Sequence, residues 1–266
     1  MPAHDPHAGL PHTASAGEAA DSVGIPWGGR QLSSTGFDDD RGEADARLLA
    51  ALRVATDDDV STREAGEPEL FAALREARLL VPIVAEPAET TENATGLRED
   101  KQVDMAAVTL VSGEGQRALP VFSSLDALAA WDPQARPVPV TAERAAQAAV
   151  SEQCELLLLD LAGPHPVALR PSMVWALATR EEWRPAHDDP FVAAGVEQAV
   201  AADERITAHV LTPGEPAGEG VLGLHLRLRP GLSPEEVREL VTGLGERIAT
   251  DGELRARIDG LAFRLG

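Results

Sequence analysis

Apolar residues at helical spacing predict the helices of this chain. Leu48, Leu49 and Leu52 fall on one face of a helix predicted over residues 44–55. We expect the next helix to begin near Pro68, because proline is favoured in the first turn of a helix. Further helices are predicted over the following ranges, several of them after a Ser or Thr that can cap the first turn: 125–131, 142–153, 171–178, 191–202 and a long helix after Ser233.

Short apolar and β-branched runs predict the strands. The run 81–84 contains Pro82, which cannot donate a ladder hydrogen bond, so we expect Pro82 on an edge strand or at the start of a strand. Residues 105–111 and 118–122 are separated by turn-forming residues and predict a hairpin. The continuous apolar run 155–161 predicts a central strand that is covered on both faces. The remaining predicted strands are 138–140, 167–170, 206–211, 221–229 and 261–265.

The order of these elements predicts an α/β (α+β) chain with two domains. Residues 1–24 are rich in Ala, Gly, Pro and His without hydrophobic periodicity, and we expect a disordered tail there. Residues 25–180 are predicted to form an N-terminal domain with a mixed sheet and flanking helices. A linker over residues 181–190 precedes a small β-β-α-β domain over residues 191–266.

The charge and the cysteine content limit which compartment and which partners we expect. The chain has 23 basic and 44 acidic residues, which gives a formal net charge of −21. That charge repels phosphate backbones and anionic membranes, so we expect neither nucleic acid nor membrane as a partner. Cys154 is the one cysteine and cannot form an internal disulfide, which favours a reducing compartment. The first residues resemble no signal peptide, and we expect a soluble, acidic, cytoplasmic protein.

Several segments resemble a known family. Residues 104–110, residues 118–124 and the pair Ala130-Trp131 resemble the hairpin-and-helix centre of the SseB N-terminal domain. Residues 35–45 are similar to the approach segment of actinobacterial members, and residues 192–266 resemble the C-terminal domain that some members carry. The family is named for enhanced serine sensitivity, a cellular phenotype. The resemblance therefore implies an architecture, but no reaction and no ligand.

The motifs that could carry chemistry lack the context that such chemistry needs. Residues 218–223 spell G-x-G-x-x-G, but a strand follows them instead of a helix, so we interpret them as a hairpin loop. Cys154 is predicted after a helix C-terminus and beside Glu152 and Glu155, which disfavours a thiolate. The histidines have no metal-ligand spacing on a helix. We therefore predict no catalytic residue, no cofactor and no metal site.

Two tryptophans are the candidate interaction residues. Trp27 lies in a Pro/Gly segment beside the predicted tail, where it could pin that segment to the core or dock a partner. Trp183 lies in the predicted linker and could wedge between the domains. We expect a non-enzymatic protein-interaction or regulatory module with an unknown protein partner. The alternative is a sensor that binds an amino-acid-related molecule in an interdomain cleft near Trp183. A third hypothesis is a thiol enzyme that uses Cys154.

Overall fold

The computed structural model describes residues 37, 39–85, 105–113 and 115–266. The chain divides into two compact units, residues 1–40 and residues 41–266. In the first unit, the backbone N–H of Asp40 donates to the Phe37 carbonyl at 3.0 Å. The predicted tail over residues 1–24 and Trp27 lie outside the described residues. The helices and strands of the described residues all belong to the second unit.

Helices and strands are interspersed along the described residues, and the fold is mixed α/β. The helices are α1 (Ala46–Ala55), α2 (Val60–Glu76), α3 (Leu125–Trp131), α4 (Ala142–Ser151), α5 (Pro171–Thr179), α6 (Pro190–Ala201), α7 (Pro234–Thr250) and α8 (Gly252–Ala256). The strands are β1 (Arg78–Ala85), β2 (Met105–Ala107), β3 (Leu110–Val111), β4 (Arg117–Val121), β5 (Arg136–Thr141), β6 (Leu156–Leu159), β7 (Val167–Leu169), β8 (Ile206–Pro213), β9 (Val221–Leu228) and β10 (Gly260–Leu265). Among the described residues, no helix has the length and apolar character to cross a membrane.

Polar side chains start several helices as the sequence predicts. Ser124 accepts a hydrogen bond from the Ala127 N–H at the start of α3, and Thr141 accepts one from the Arg144 N–H at the start of α4. Ser233 and Glu236 form a reciprocal capping box at the start of α7. Each cap satisfies a backbone donor that the first helical turn leaves without a partner.

The helix α2 begins eight residues earlier than its predicted start at Pro68, so that prediction was wrong. The side chain of Asp59 caps the helix by accepting from the Thr62 N–H, and Pro68 lies inside the helix. Proline in a helix interior removes one backbone hydrogen bond. The packing of Leu70, Phe71 and Leu74, all of them buried, offsets that loss because it holds the helix against the core.

The prediction for Pro82 was also wrong, because it lies inside β1, the central strand of a sheet with the order β2-β1-β5. Pro82 faces Pro137 across the antiparallel pair of β1 with β5. Neither proline has an N–H, and antiparallel ladders contain pairs that exchange no hydrogen bond. The sheet therefore accommodates both prolines at one such pair, and β1 keeps neighbours on both sides.

The predicted hairpin exists, but its first run divides between two sheets. β2 pairs with β1, whereas β3 pairs with β4 in a sheet with the order β3-β4-β6-β7. β6 is parallel to β4 and lies between β4 and β7, which confirms that the run 155–161 supplies a central strand. Leu157 and Leu159 are buried, whereas Leu156 and Leu158 are half-buried, so the cover is complete on one face only. Leu80 and Phe122 exchange two backbone hydrogen bonds of 2.8 and 2.9 Å, which join the two sheets.

The residues after α5 build a sheet of their own with the order β10-β9-β8. On β9, Leu222, Leu224 and Leu226 are buried against α6 and α7, as their alternation predicts. This apolar cluster is distinct from the larger one that α1, α2, α4, α5 and β6 enclose. Both clusters lie within the one unit 41–266, and the division into two domains with a linker stays a prediction.

Candidate functional site: a charged cleft beside Trp183

A cleft of about 340 Å³ lies beside Trp183. One wall is the polar face of α2, with Glu64 and Glu67. The opposite wall is the loop between β8 and β9 together with Asp259, which precedes β10. Arg170, between β7 and α5, forms its floor with Trp183. Elements that are far apart in sequence therefore meet around one cavity.

The guanidinium of Arg170 joins two carboxylates in this cleft. It donates two parallel hydrogen bonds to Glu67, one of them from Nη1 to Oε1 and the other from Nη2 to Oε2 at 3.0 Å. Its Nε donates to Oδ2 of Asp259 at 2.9 Å. The side chains of Arg170, Glu67 and Asp259 are 15%, 14% and 8% exposed, so water screens these charges weakly.

A hydrogen-bond chain connects this ion cluster to Trp183. Nε1 of Trp183 donates to Oγ of Ser172 at 2.9 Å, and the Ser172 hydroxyl donates to Oδ2 of Asp259 at 2.8 Å. The backbone N–H of Ser172 donates to the other oxygen of Asp259 at 2.8 Å. The indole ring contacts Phe71, with ring centroids 5.8 Å apart, and lies 5.7 Å from the Arg170 guanidinium carbon. Trp183 is thereby fixed on several sides.

The loop between β8 and β9 closes over the cluster because it is rich in glycine. Gly220 has a φ of +73°, and a Cβ there would lie 2.4 Å from Nε of Arg170 and 2.7 Å from Oδ2 of Asp259. The backbone N–H of Gly218 donates to Oε1 of Glu64 at 2.8 Å. The G-x-G-x-x-G sequence thus belongs to a loop between two antiparallel strands, which confirms its interpretation as a hairpin.

The cleft carries an excess of negative charge. Burial alone would lower the pKa of Arg170, but the hydrogen bonds and charges of Glu67 and Asp259 raise it, so Arg170 stays protonated. That one cation faces four carboxylates on the walls, since Glu64 and Asp188 also line the cavity. The Asp188 side chain is 72% exposed, so water solvates it at the mouth. The described residues that line the cleft therefore contain more acidic than basic groups.

A second arginine, Arg257, holds the far end of the segment between α5 and α6 that carries Trp183. Arg257 lies 5.0 Å from the ring of Trp175 and 4.8 Å from the ring of Phe191, within cation–π distance of both. Its Nη1 donates to Asp189 at 3.0 Å and its Nη2 donates to Glu253 at 2.8 Å. Although burial would lower the pKa of Arg257, these two carboxylates raise it. The segment between α5 and α6 is therefore held near both of its ends.

A comparison with protein-family models identifies the domain that forms one side of this cleft. The family model described as SseB protein N-terminal domain matches residues 48–176. The chain belongs to the SseB family. In this SseB protein, the matched domain supplies Glu67 and Arg170 to the cleft, whereas Trp183 and Asp259 lie beyond its end. No curated protein and no solved structure matches the chain.

Of the two tryptophans that the sequence singled out, the structure describes one. Trp183 is 8% exposed and packs in the larger apolar cluster, while it also lines the cleft. Trp27 lies outside the described residues of the SseB protein, and its role stays a prediction. Cys154 is buried, and burial raises the pKa of its thiol, with Glu152 adding to the effect and Arg117 opposing it.

The sequence alone did not single out the charged residues of the cleft. Arg170 lies 89 residues from Asp259 and 103 residues from Glu67, so no local motif joins them. One weak signal was present but not used: glycines such as those at 218 and 220 are typical of a close approach of backbone to another group. In this SseB protein that group is a pair of charged side chains and not a pyrophosphate.

Proposed function

We propose that this SseB protein is a non-enzymatic, cytoplasmic regulatory module that binds a small amino-acid-related molecule in the cleft beside Trp183. The cavity of about 340 Å³ carries this proposal. It falls within the usual size of small-molecule sites, and polar groups from several elements converge on it. The single buried cysteine supports a reducing compartment.

The charges of the walls support a ligand with an ammonium group. Arg170 already donates three of its five N–H groups to Glu67 and Asp259, so its charge is largely balanced inside the protein. The Glu64 carboxylate receives one backbone N–H at Oε1 and lines the cavity, where it can accept from a ligand. An ammonium group would therefore bind the carboxylates on the α2 wall, and an amino acid or its amine has a suitable size and charge.

The hydroxyl of Ser172 and the thiol of Cys154 are poorly placed to act as nucleophiles, which favours binding over catalysis. The Ser172 hydroxyl donates to Asp259 and accepts from Trp183, and Ser172 is 2% exposed. A nucleophile needs access to substrate and an adjacent base, and Ser172 is buried and is not one of the residues that line the cavity. The raised pKa of Cys154 likewise disfavours the thiolate that a thiol enzyme would need.

Thermal unfolding of the full chain with a panel of small molecules tests the proposal. The panel contains amino acids, the amines that lack their carboxyl group, and the acids that lack their amino group. A ligand of the folded state raises the unfolding midpoint by about 5 °C at roughly 100 times its dissociation constant. We expect amino acids or amines to raise the midpoint and the matched acids to leave it unchanged.

A variant that fills the cleft supplies the control. Ala65 is exposed on α2 and lines the cavity, so Ala65→Phe should occupy the ligand volume and abolish the shift. Ala50 is exposed on α1 and does not line this cavity, so Ala50→Phe should keep the shift. No shift with any compound at millimolar concentration, or an equal shift in both variants, would argue against a ligand in this cleft.

A further inference from the structure

Within the described part of the chain, no helix covers one face of the sheet after α6. On β9, the leucines point to the helices α6 and α7, so His225 and Arg227 belong to the opposite face. The strand register places Ala208 and Val210 of β8 and Arg264 of β10 on that same face. We call these five residues the open sheet face: Ala208, Val210, His225, Arg227 and Arg264.

The open sheet face is accessible. Val210 is 59% exposed, and Ala208, Arg227 and Arg264 are exposed as well, while His225 is half-buried. All five residues line one shallow depression of about 290 Å³. The sheet is mixed, because β10 is parallel and β8 antiparallel to β9, and its second face is in water. A solvated face does not require apolar side chains beside arginines. The mixture of Val210 with the two arginines is instead typical of a surface that contacts another protein.

The charge of this face is opposite to that of the chain. The chain carries 44 acidic and 23 basic residues, yet the open sheet face contains two arginines, one histidine and no carboxylate. Within the described residues, Arg227 has no carboxylate within salt-bridge distance, and Arg264 has only Glu215 at 3.8 Å, with both side chains more than half exposed. These guanidinium groups are therefore available to bind carboxylates, which match their planar fork.

We propose that the open sheet face binds an acidic segment of a partner protein. Carboxylates of the segment would bind Arg227 and Arg264, and an apolar side chain between them would contact Val210. A long polyanion such as nucleic acid fits less well, because the net charge of −21 repels it beyond the few basic residues of the face. A short acidic segment carries enough charge for these arginines without the same repulsion. This surface is independent of the cleft beside Trp183.

Fluorescence anisotropy with the full chain tests this proposal. The probe is a short fluorescein-labelled peptide of repeated Glu-Glu-Ser-Val units, and the same peptide with Lys in place of Glu serves as the charge control. We expect the acidic peptide to bind, more weakly as salt increases, and the basic peptide not to bind at this face. Arg227→Glu combined with Arg264→Glu should weaken binding of the acidic peptide by at least about tenfold.

A matched double variant distinguishes binding at the open sheet face from a general effect of net charge. Arg53→Glu combined with Arg144→Glu changes the net charge by the same amount at exposed helix positions, and it should alter binding by less than about twofold. Circular dichroism checks that each variant folds, and Arg227→Gln with Arg264→Gln replaces the reversal if it unfolds the protein. Ala65→Phe should bind the peptide normally, because it changes only the cleft.

Four outcomes would overturn the proposal. The first is that the acidic peptide does not bind at low salt. The second is that the Arg53 and Arg144 double variant weakens peptide binding as much as the Arg227 and Arg264 double variant does. The third is that a single-stranded oligonucleotide binds more tightly than the peptide and loses its binding when Arg227 and Arg264 are replaced by Glu. The fourth is that sedimentation velocity shows a dimer that dissociates when Arg227 and Arg264 are replaced by Glu, because a second copy of the chain would then occupy the face.

Discussion

Nε of Arg170 donates to Oδ2 of Asp259 across 2.9 Å, and this bond joins residues that are 89 positions apart in the chain. Asp259 stands immediately before β10, and Arg170 is the residue before α5. The bond therefore connects the SseB N-terminal domain to the small sheet after α6. It also forms the floor of the cleft, so the stability of the fold and the shape of the proposed site depend on the same contact.

Replacement of Arg170 should destabilise the protein strongly. Arg170→Met leaves Glu67 and Asp259 as largely buried carboxylates without their partner, at a cost of about 3 kcal/mol in the free energy of unfolding. Urea denaturation measures the change. The control is Arg47→Met, which removes an exposed ion pair with Glu69 and should leave the midpoint unchanged. Equal effects of the two variants would show that the Arg170 cluster contributes no more than a surface pair.

A methyl group at Gly220 should disturb the same cluster. Gly220 and Gly231 both have a positive φ, of +73° and +90°, so Ala costs about 1 kcal/mol at either position through backbone strain. Gly220→Ala also places a Cβ 2.4 Å from Nε of Arg170, which adds about 2 kcal/mol. Around Gly231 the space is empty. Denaturant melts should therefore show a larger loss for Gly220→Ala than for Gly231→Ala, and similar losses would contradict the close approach.

Asp203 should contribute stability that disappears in acid. Hydrogen bonds from the Arg205 guanidinium, of 2.7 and 2.9 Å, lower the pKa of Asp203 from its ordinary 3.8 to about 2. Because the folded value is the lower one, the contribution is complete above about pH 4 and is lost as the pH falls towards about 2. We expect about 1 kcal/mol after solvent screening, since the Arg205 side chain is 32% exposed.

The variant Asp203→Asn measures this contribution. Its difference in unfolding free energy from the natural protein should be constant near neutral pH and should shrink as the pH approaches about 2. Arg205→Met removes the same hydrogen bonds from the other side and should give the same pH dependence. A difference that stays constant down to the acid limit would mean that the pair does not alter the titration of Asp203.

The thiol of Cys154 should react slowly in the folded protein. The residue is 6% exposed and burial raises its pKa, so less thiolate is present at a given pH than in an ordinary cysteine. Alkylation by iodoacetamide should therefore increase at higher pH in the folded protein than in the same chain unfolded in urea. Cys154→Ser should also leave any ligand-induced thermal shift unchanged. Rapid alkylation of the folded protein at neutral pH would instead favour a thiol function.

Local patterns were enough to predict most helices and strands. The residues Ser124, Thr141 and Ser233 cap helices where the sequence places them, because a cap involves groups only a few residues apart. The alternation of leucines on β9 likewise indicated which face is buried. The sequence also suggested a cleft near Trp183, although it could not name the groups that line it.

Two proline interpretations failed because local preference is weaker than tertiary packing. Pro68 lies inside α2, where buried neighbours hold the helix, and Pro82 lies in a central strand, where it meets Pro137. Both outcomes depend on residues that are distant in the chain or on which strand lies beside which. A pattern within a short window cannot contain that information.

The sequence by itself determined the α/β character, the capped helices, the apolar strand β6 and the excess of negative charge, because each depends on residue type and short-range order. Only the tertiary structure decided that Arg170 meets Glu67 and Asp259, and that two arginines gather on the open sheet face. The physical reason is that ion pairs and strand registers depend on distance in space. The chain brings these groups together only after its sheets and helices have packed.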